Sequence, residues 1–360
     1  MLMKPSIIDL HPRKILIRST NWIGDAIMTT PAVRTIRENF PEAKITILAK
    51  PWVADVFVAS PHIDEVVLYQ SKRIHRGLQG LWRLANELRE RRYDLAILLQ
   101  NAFEAALIAR LARIPARAGY RRDARSWLLT HPVTIDPGIR KIHQVFYYQD
   151  LLRQLGLSPG PDELHLTLPR PVRRWAKEFA ANLGRQLLIG FNPGAAYGPA
   201  KCWPASKYAE LAVRLHGSLG ATILVFGTDQ DTGAAAEIKS QLPDHVVDLA
   251  GQTKLAEAMA LIGVCDGFVT NDSGLMHVAA ALQTPLVAIF GSTDAVATGP
   301  YSPQATVVQK ELPCRPCLKP DCKRDFACME EIGVEEVFAV VQRLLERKKG
   351  RIKSRAGVRS

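Results

Sequence analysis

The chain has 360 residues, 47% of them hydrophobic, and a formal net charge of +12. That length favours two domains over a single core, the apolar content is ordinary for a globular fold, and no run of about 18 apolar residues is present to form a membrane-spanning helix. The basic excess points to anionic partners, namely nucleic acid, anionic lipid or phosphorylated substrates.

The stretch Met1 to Arg13 carries charges and prolines but no apolar h-region, so a cytoplasmic protein is expected rather than a secreted one. Lys14 to Arg18 is a short apolar run followed by a turn and a helical pattern, the start of an α/β unit with a buried parallel strand. Further strands are predicted at Ile45 to Ala49, Val66 to Tyr69 and Leu95 to Leu99, with helices at Leu78 to Arg91, Phe103 to Arg113 and His143 to Leu155. The stretch Gly156 to Arg174 is dense in proline and reads as a linker. The rhythm restarts with strands at Leu187 to Phe191, Thr222 to Phe226, Val246 to Asp248, Gly267 to Thr270 and Leu286 to Phe290. Helices are predicted at Ala205 to Leu215, Gly233 to Ser240, Leu255 to Ile262, His277 to Leu282 and Val334 to Arg347. The expected fold is α/β: two Rossmann-like doubly wound domains, 1–165 and 166–347, facing a central cleft, then a basic tail at 348–360.

The candidate site residues follow strand ends. After the first strand come Asn21, Trp22, Ile23, Gly24 and Asp25; glycine lets the backbone turn tightly, and Asp25 stands at a helix start, as a cap or as a base. Pro31 either opens a helix beginning near Thr30 or kinks one beginning at Gly24. In the second domain a glycine-containing loop leads to Lys201, a compact charge suited to phosphate, although its spacing is not that of a P-loop. Asp231, chosen over Asp229, follows the next strand, where a carboxylate accepts from ribose hydroxyls or caps a helix. The loop holding Thr253 is placed for backbone contacts to a base. From Asn271 the chain passes directly from strand to helix, aiming the N–H groups of Ser273, Gly274 and Leu275 at one point; that suits an anion, while capping by Asp272 or Ser273 is the competing reading.

Cys314, Cys317, Cys322 and Cys328 have spacing compatible with four thiolates on a structural zinc, but free thiols in a reducing compartment are the favoured reading. A second basic cluster runs from Arg89 to Arg125, and the last residues beyond Arg347 form a solvated basic run. No zinc-finger or RNA-recognition pattern accompanies either, so nucleic acid is not an expected partner.

Taken together, Asn21-Trp22-Ile23-Gly24-Asp25, Asn192-Pro193-Gly194, Gly198-Pro199-Ala200-Lys201, Trp203-Pro204 and Asn271-Asp272-Ser273-Gly274-Leu275-Met276-His277 resemble the motifs of the bacterial lipopolysaccharide heptosyltransferases of glycosyltransferase family 9. The resemblance runs from Lys14 to about Leu345 and includes the cysteine-rich segment. It implies a GT-B architecture and inverting transfer of L-glycero-D-manno-heptose from ADP-heptose to a phosphorylated lipid A core, with no metal or other cofactor required for catalysis. By that resemblance Asp25 is the general base, Lys201 and the amides at Ser273 to Leu275 stabilise the leaving diphosphate, Asp272 positions the heptose, Asp231 the ribose, and Thr253 lies near adenine. Tyr197 is a further candidate for phosphate contact, and His277 either touches donor or supports its loop. The lipid acceptor implies peripheral attachment to the anionic inner leaflet of the cytoplasmic membrane. The alternatives are a family member with another acceptor or nucleotide sugar, and a non-catalytic binder of nucleic acid or anionic lipid.

Overall fold

The computed structural model describes residues 6–184 and 187–357, and the chain divides into two compact units, Met1–Thr167 and Leu168–Ser360. The start of the N-terminal extension and residues 358–360 of the basic tail lie outside the described residues, as do the side chains from 349 onward.

The first unit runs β1 (Lys14–Arg18), α1 (Ile23–Met28), α2 (Thr30–Asn39), β2 (Lys44–Ala49), β3 (Glu65–Leu68), α3 (Gly77–Glu90), β4 (Leu95–Leu98), α4 (Phe103–Leu111), β5 (Ala116–Tyr120), β6 (His131–Val133) and α5 (Gln144–Gln154). Its six strands pair in parallel in the order β3-β2-β1-β4-β5-β6. Ile17 of β1 sits opposite Ile47 on one side and Ile97 on the other, and all three are buried. Strands covered on both faces need such continuous apolar runs. Both readings of Pro31 hold a part of the answer. A helix does start at Ile23, but it ends at Met28, and Thr29 leads into a second helix in which Pro31 takes an opening position that needs no N–H.

The second unit runs α6 (Arg170–Asn182), β7 (Leu187–Asn192), α7 (Ala205–Leu219), β8 (Ala221–Val225), α8 (Thr232–Gln241), β9 (Val246–Asp248), α9 (Leu255–Val264), β10 (Gly267–Asn271), α10 (Gly274–Ala281), β11 (Leu286–Phe290), α11 (Ala295–Thr298), β12 (Ala305–Gln309), α12 (Ala327–Glu330) and α13 (Val334–Gly357). Its sheet is again six-stranded and parallel, in the order β12-β11-β10-β7-β8-β9. The expected linker is helical from Arg170, because Pro171 occupies the opening turn of α6, the one part of a helix where proline fits. The last helix continues past Arg347, and Val337, Phe338, Val341, Leu344 and Leu345 bury it in the core of this second unit. Among the described residues, no helix is long and apolar enough to cross a membrane.

In each sheet the strand order reverses once, between β1 and β4 in the first unit and between β7 and β10 in the second. Chain segments leaving the carboxyl ends of the two strands diverge there, which opens a crevice suited to ligands. Asp25 follows β1, Lys201 follows β7 and Asp272 follows β10.

Candidate active site

In the second unit the reversal point is held together by two asparagines at the strand ends. Asn192 ends β7, and its Oδ1 accepts from Ser273 Oγ at 2.7 Å and Thr270 Oγ1 at 3.4 Å. Asn271 ends β10 and is fully buried; its Nδ2 donates to Pro193 O at 2.5 Å, and its Oδ1 accepts from Trp203 N–H at 3.1 Å and Tyr208 O–H at 3.2 Å. Trp203, buried in turn, donates through its indole to Ile332 O at 3.1 Å. The 193–204 loop is therefore fixed against β10 by side-chain bonds rather than by strand pairing.

That fixed loop delivers Lys201 to Asp272. Lys201 Nζ lies 2.6 Å from Asp272 Oδ2, and the same oxygen accepts from Thr293 Oγ1 at 2.7 Å. The pair is largely enclosed, with the lysine side chain 14% and the aspartate 6% exposed. Sequence reading assigned these two residues separate ligands; the structure brings them together as an ion pair. Tyr197 stands beside them, its ring 5.0 Å from Lys201 Nζ and its hydroxyl donating to Leu318 O at 2.8 Å.

Of the two capping candidates, Ser273 is the cap: its Oγ accepts from Met276 N at 3.4 Å at the start of α10. The N–H groups of Gly274 and Leu275 belong to the first turn of that helix, the part that carries partial positive charge. His277 is buried one turn further on.

The neighbouring strands β8 and β9 carry the other two candidates on loops that touch. Gly251 N donates to Gly227 O at 3.1 Å, which joins the Asp231 loop to the Thr253 loop. Asp231 Oδ2 accepts from Thr228 N at 2.7 Å and Thr228 Oγ1 at 2.9 Å, in a capping box on the short 3-10 turn, Asp229–Asp231, that leads into α8. Asp231 also lines a cavity of about 330 Å³ with Pro193, Gly194, Trp203 and Gln230. A β-carbon at Gly194 or Gly227 would run into the Asp231 side chain, so both glycines are needed for this approach.

In the first unit, Asp25 occupies the first turn of α1, half-buried, behind exposed Trp22 and buried Gly24. Asn21 is fixed by Arg18 Nη2, which donates to its Oδ1 at 2.8 Å, and by the Trp52 indole, which donates to its carbonyl at 2.8 Å. Sequence reasoning missed Tyr148 on α5. Burial raises its phenol pKa well above the ordinary range, and the nearby Asp25 charge adds to the shift. A protonated hydroxyl is thereby kept close to the candidate base. No sequence signal marks Tyr148, since its neighbourhood is made by the α5 packing 123 residues further along the chain in a tyrosine pair that reads as core.

The four cysteines of the 314–328 segment are free and converge on one cavity of about 110 Å³ with Arg315. Burial, first, pushes the Cys328 thiol up. Among the described residues no three His, Cys, Asp or Glu side chains are grouped so as to hold a metal ion.

The model for glycosyltransferase family 9 (heptosyltransferase) matches residues 81–327. Lipopolysaccharide heptosyltransferase 2 of Salmonella typhimurium is 36% identical over 308 residues, which are 82% of this chain and 88% of that protein. The Escherichia coli structure described as ADP-heptose lps heptosyltransferase II superimposes with a TM-score of 0.80 at 31% identity, covering 93% of this chain and 99% of that one. A family 9 glycosyl transferase from Veillonella parvula superimposes with a TM-score of 0.84 at 26% identity, covering 96% of this chain and 99% of that one.

Proposed function

The chain belongs to glycosyltransferase family 9 and is a heptosyltransferase of lipopolysaccharide core synthesis with a GT-B-like fold, and from that premise we propose that it transfers L-glycero-D-manno-heptose from ADP-heptose, with inversion, to heptosyl-Kdo2-lipid A. The observation that carries the reading is the Lys201–Asp272 pair, fixed at the reversal point of the second sheet beside the first turn of α10.

Inverting displacement at an anomeric carbon needs a base on the acceptor hydroxyl and a stabilised leaving group on the far side of that carbon. In this reading Asp25 takes the hydroxyl proton, on the acceptor side of the reacting carbon. Lys201 and the amides of Ser273, Gly274 and Leu275 hold the diphosphate as its bond to the sugar breaks; Asp272 positions Lys201 and, through its remaining oxygen, the heptose. Asp231 serves the ribose and the Thr253 loop the adenine, which the joined β8 and β9 loops support. No step calls for a metal ion.

The acceptor is a lipid, so the enzyme would act at the anionic inner leaflet as a peripheral protein. The net charge of +12 supports this. So does the exposed stretch in which Ile74, Leu78 and Trp82 alternate with Lys72, Arg73 and Arg76, an apolar and basic mixture suited to a lipid interface.

The test is transfer from ADP-heptose to purified heptosyl-Kdo2-lipid A by the wild type and by Asp25→Asn. The variant is expected to lose about 10²- to 10⁴-fold in kcat, the usual contribution of a general base. Unchanged turnover in the variant would remove Asp25 from that role, and no transfer by the wild type would sink the acceptor assignment.

A further inference from the structure

Three strand ends of the first sheet meet around a buried lysine that the proposed chemistry does not use. Lys50 is the residue after β2 and is only 5% exposed. Its Nζ lies 3.4 Å from the centre of the Tyr69 ring, which follows β3, and it has no hydrogen-bond acceptor or ion-pair partner among the described residues. Arg18, the last residue of β1, is 2% exposed, and its guanidinium sits 5.6 Å from the same ring. Its Nη groups are used, on Ser19 O, Leu48 O and Asn21 Oδ1, while its Nε is buried with no partner.

Two cations held this far from water cost stability unless something compensates them. The charges facing Lys50 are Arg18, which repels it, and Glu104, an exposed carboxylate in the first turn of α4 that also faces the Tyr69 hydroxyl. Glu104 makes no ion pair with Lys50 within 4.0 Å. The Tyr69 ring compensates Lys50 in part through its face, but the ammonium's three donors are left unused. Unlike Arg18 Nε, the ammonium is not among the fully enclosed unpaired atoms, so it keeps an opening to solvent. The location is also apt. Lys50 stands at the carboxyl edge of the sheet, one strand from β1, and Arg18 is bonded to Asn21 in the loop that carries Asp25.

We propose that Lys50, supported by Arg18 and Tyr69, is an anion subsite of the first unit that takes a carboxylate or phosphate group of the acceptor. The proposal rests on the acceptor reading above and adds to it the group that recognises the acceptor's charge. An arriving anion would accept from Lys50 Nζ and relieve the repulsion between the two cations, without displacing any bond now formed. Burial, ahead of the Arg18 charge, holds the Lys50 pKa down at about 8, so the subsite has a pH limit within reach of an assay. It binds while the lysine is protonated and weakens as pH rises through that value.

The experiment measures acceptor and donor kinetics of wild type, Lys50→Met and Lys50→Arg between pH 7 and 9, with melting temperatures beside them. One charge-assisted bond predicts an acceptor KM raised about 10- to 100-fold in Lys50→Met, an unchanged KM for ADP-heptose, partial rescue by Lys50→Arg, and a melting temperature that holds or rises because an unpaired buried charge has gone. In the wild type, acceptor KM should climb above pH 8, and that limb should vanish in Lys50→Met. Repeating the comparison on acceptor stripped of its phosphates identifies the source: a penalty that persists assigns the carboxylate of an acidic sugar, and one that disappears assigns phosphate. An acceptor KM unchanged in Lys50→Met overturns the proposal and leaves the lysine as packing on Tyr69. Should Lys50→Met fail to fold, a wild-type acceptor KM flat across pH 8 overturns it equally. Absence of any wild-type transfer, by contrast, strikes the acceptor reading itself.

Discussion

Removing Lys201 should damage the second unit before any substrate is present. The Lys201→Met change leaves the Asp272 carboxylate, 6% exposed, with the Thr293 hydroxyl at 2.7 Å in place of two partners. Breaking a buried pair from one side costs about 3–5 kcal/mol. The retained Thr293 bond and the partial exposure of Lys201 place this case near the low end, about 3 kcal/mol. Asp272→Asn should cost less, because Lys201 can turn its ammonium toward solvent. The double variant removes both charges together, so its loss should fall short of the sum by about 2 kcal/mol, the coupling expected of residues in direct contact. Urea unfolding of the full chain, followed by fluorescence, supplies the four corners of the cycle. Calorimetric titration with ADP adds the functional side, where Lys201→Met should weaken binding about 10-fold or more. Additivity of the two single losses to within about 0.5 kcal/mol would refute the pairing as an energetic unit, and unchanged ADP affinity in Lys201→Met would refute the diphosphate role.

The remaining predictions concern the two units separately. His62 packs edge-on against His165, with ring centroids 5.1 Å apart, and burial, ahead of the His165, Arg34 and Arg37 charges, lowers its pKa to about 4. The unfolded chain binds that proton more readily, so stability should be intact above pH 6.5 and fall as pH drops towards 4; His62→Gln should flatten that slope in melts recorded across the range. Gly194→Ala should force the Asp231 carboxylate out of its position and raise KM for ADP-heptose, whereas an unchanged KM would show that the contact is dispensable.

Much of this was readable in the residue order. Continuous apolar runs ending in small or polar residues mark strands covered on both faces, which is why β1, β2, β4, β7, β8, β10 and β11 could be located, and the shorter apolar runs of β3 and β9 were legible as well. The strands that escaped notice lie toward the sheet edges. β5 reads Ala-Arg-Ala-Gly-Tyr, and its Arg117 looks like a surface charge until its Nε is seen donating to Leu128 O at 2.7 Å. Helix α6 was hidden because proline density suggests a linker, while a single proline in the opening turn is favourable. The direct passage from strand to helix after Asn271 was legible, cap included, since that geometry is local. The Lys201–Asp272 pair was not, being made by side chains 71 positions apart that meet only when β7 and β10 become neighbours. Lys50 was silent for the same reason: a lysine after a strand is ordinary until its exposure and missing partners are known.

The buried Asn271 side chain has a consequence for anyone wishing to retarget the enzyme to a different nucleotide sugar. One amide clasps Pro193, Trp203 and Tyr208 at once. A loop transplanted from a transferase of other donor preference would therefore arrive at a clasp shaped for the native backbone, and a new strand end would arrive without its loop. Residues 193–208 and 271–273 form one exchangeable cassette, and chimaeras that cut between them should fold worse than chimaeras that move both.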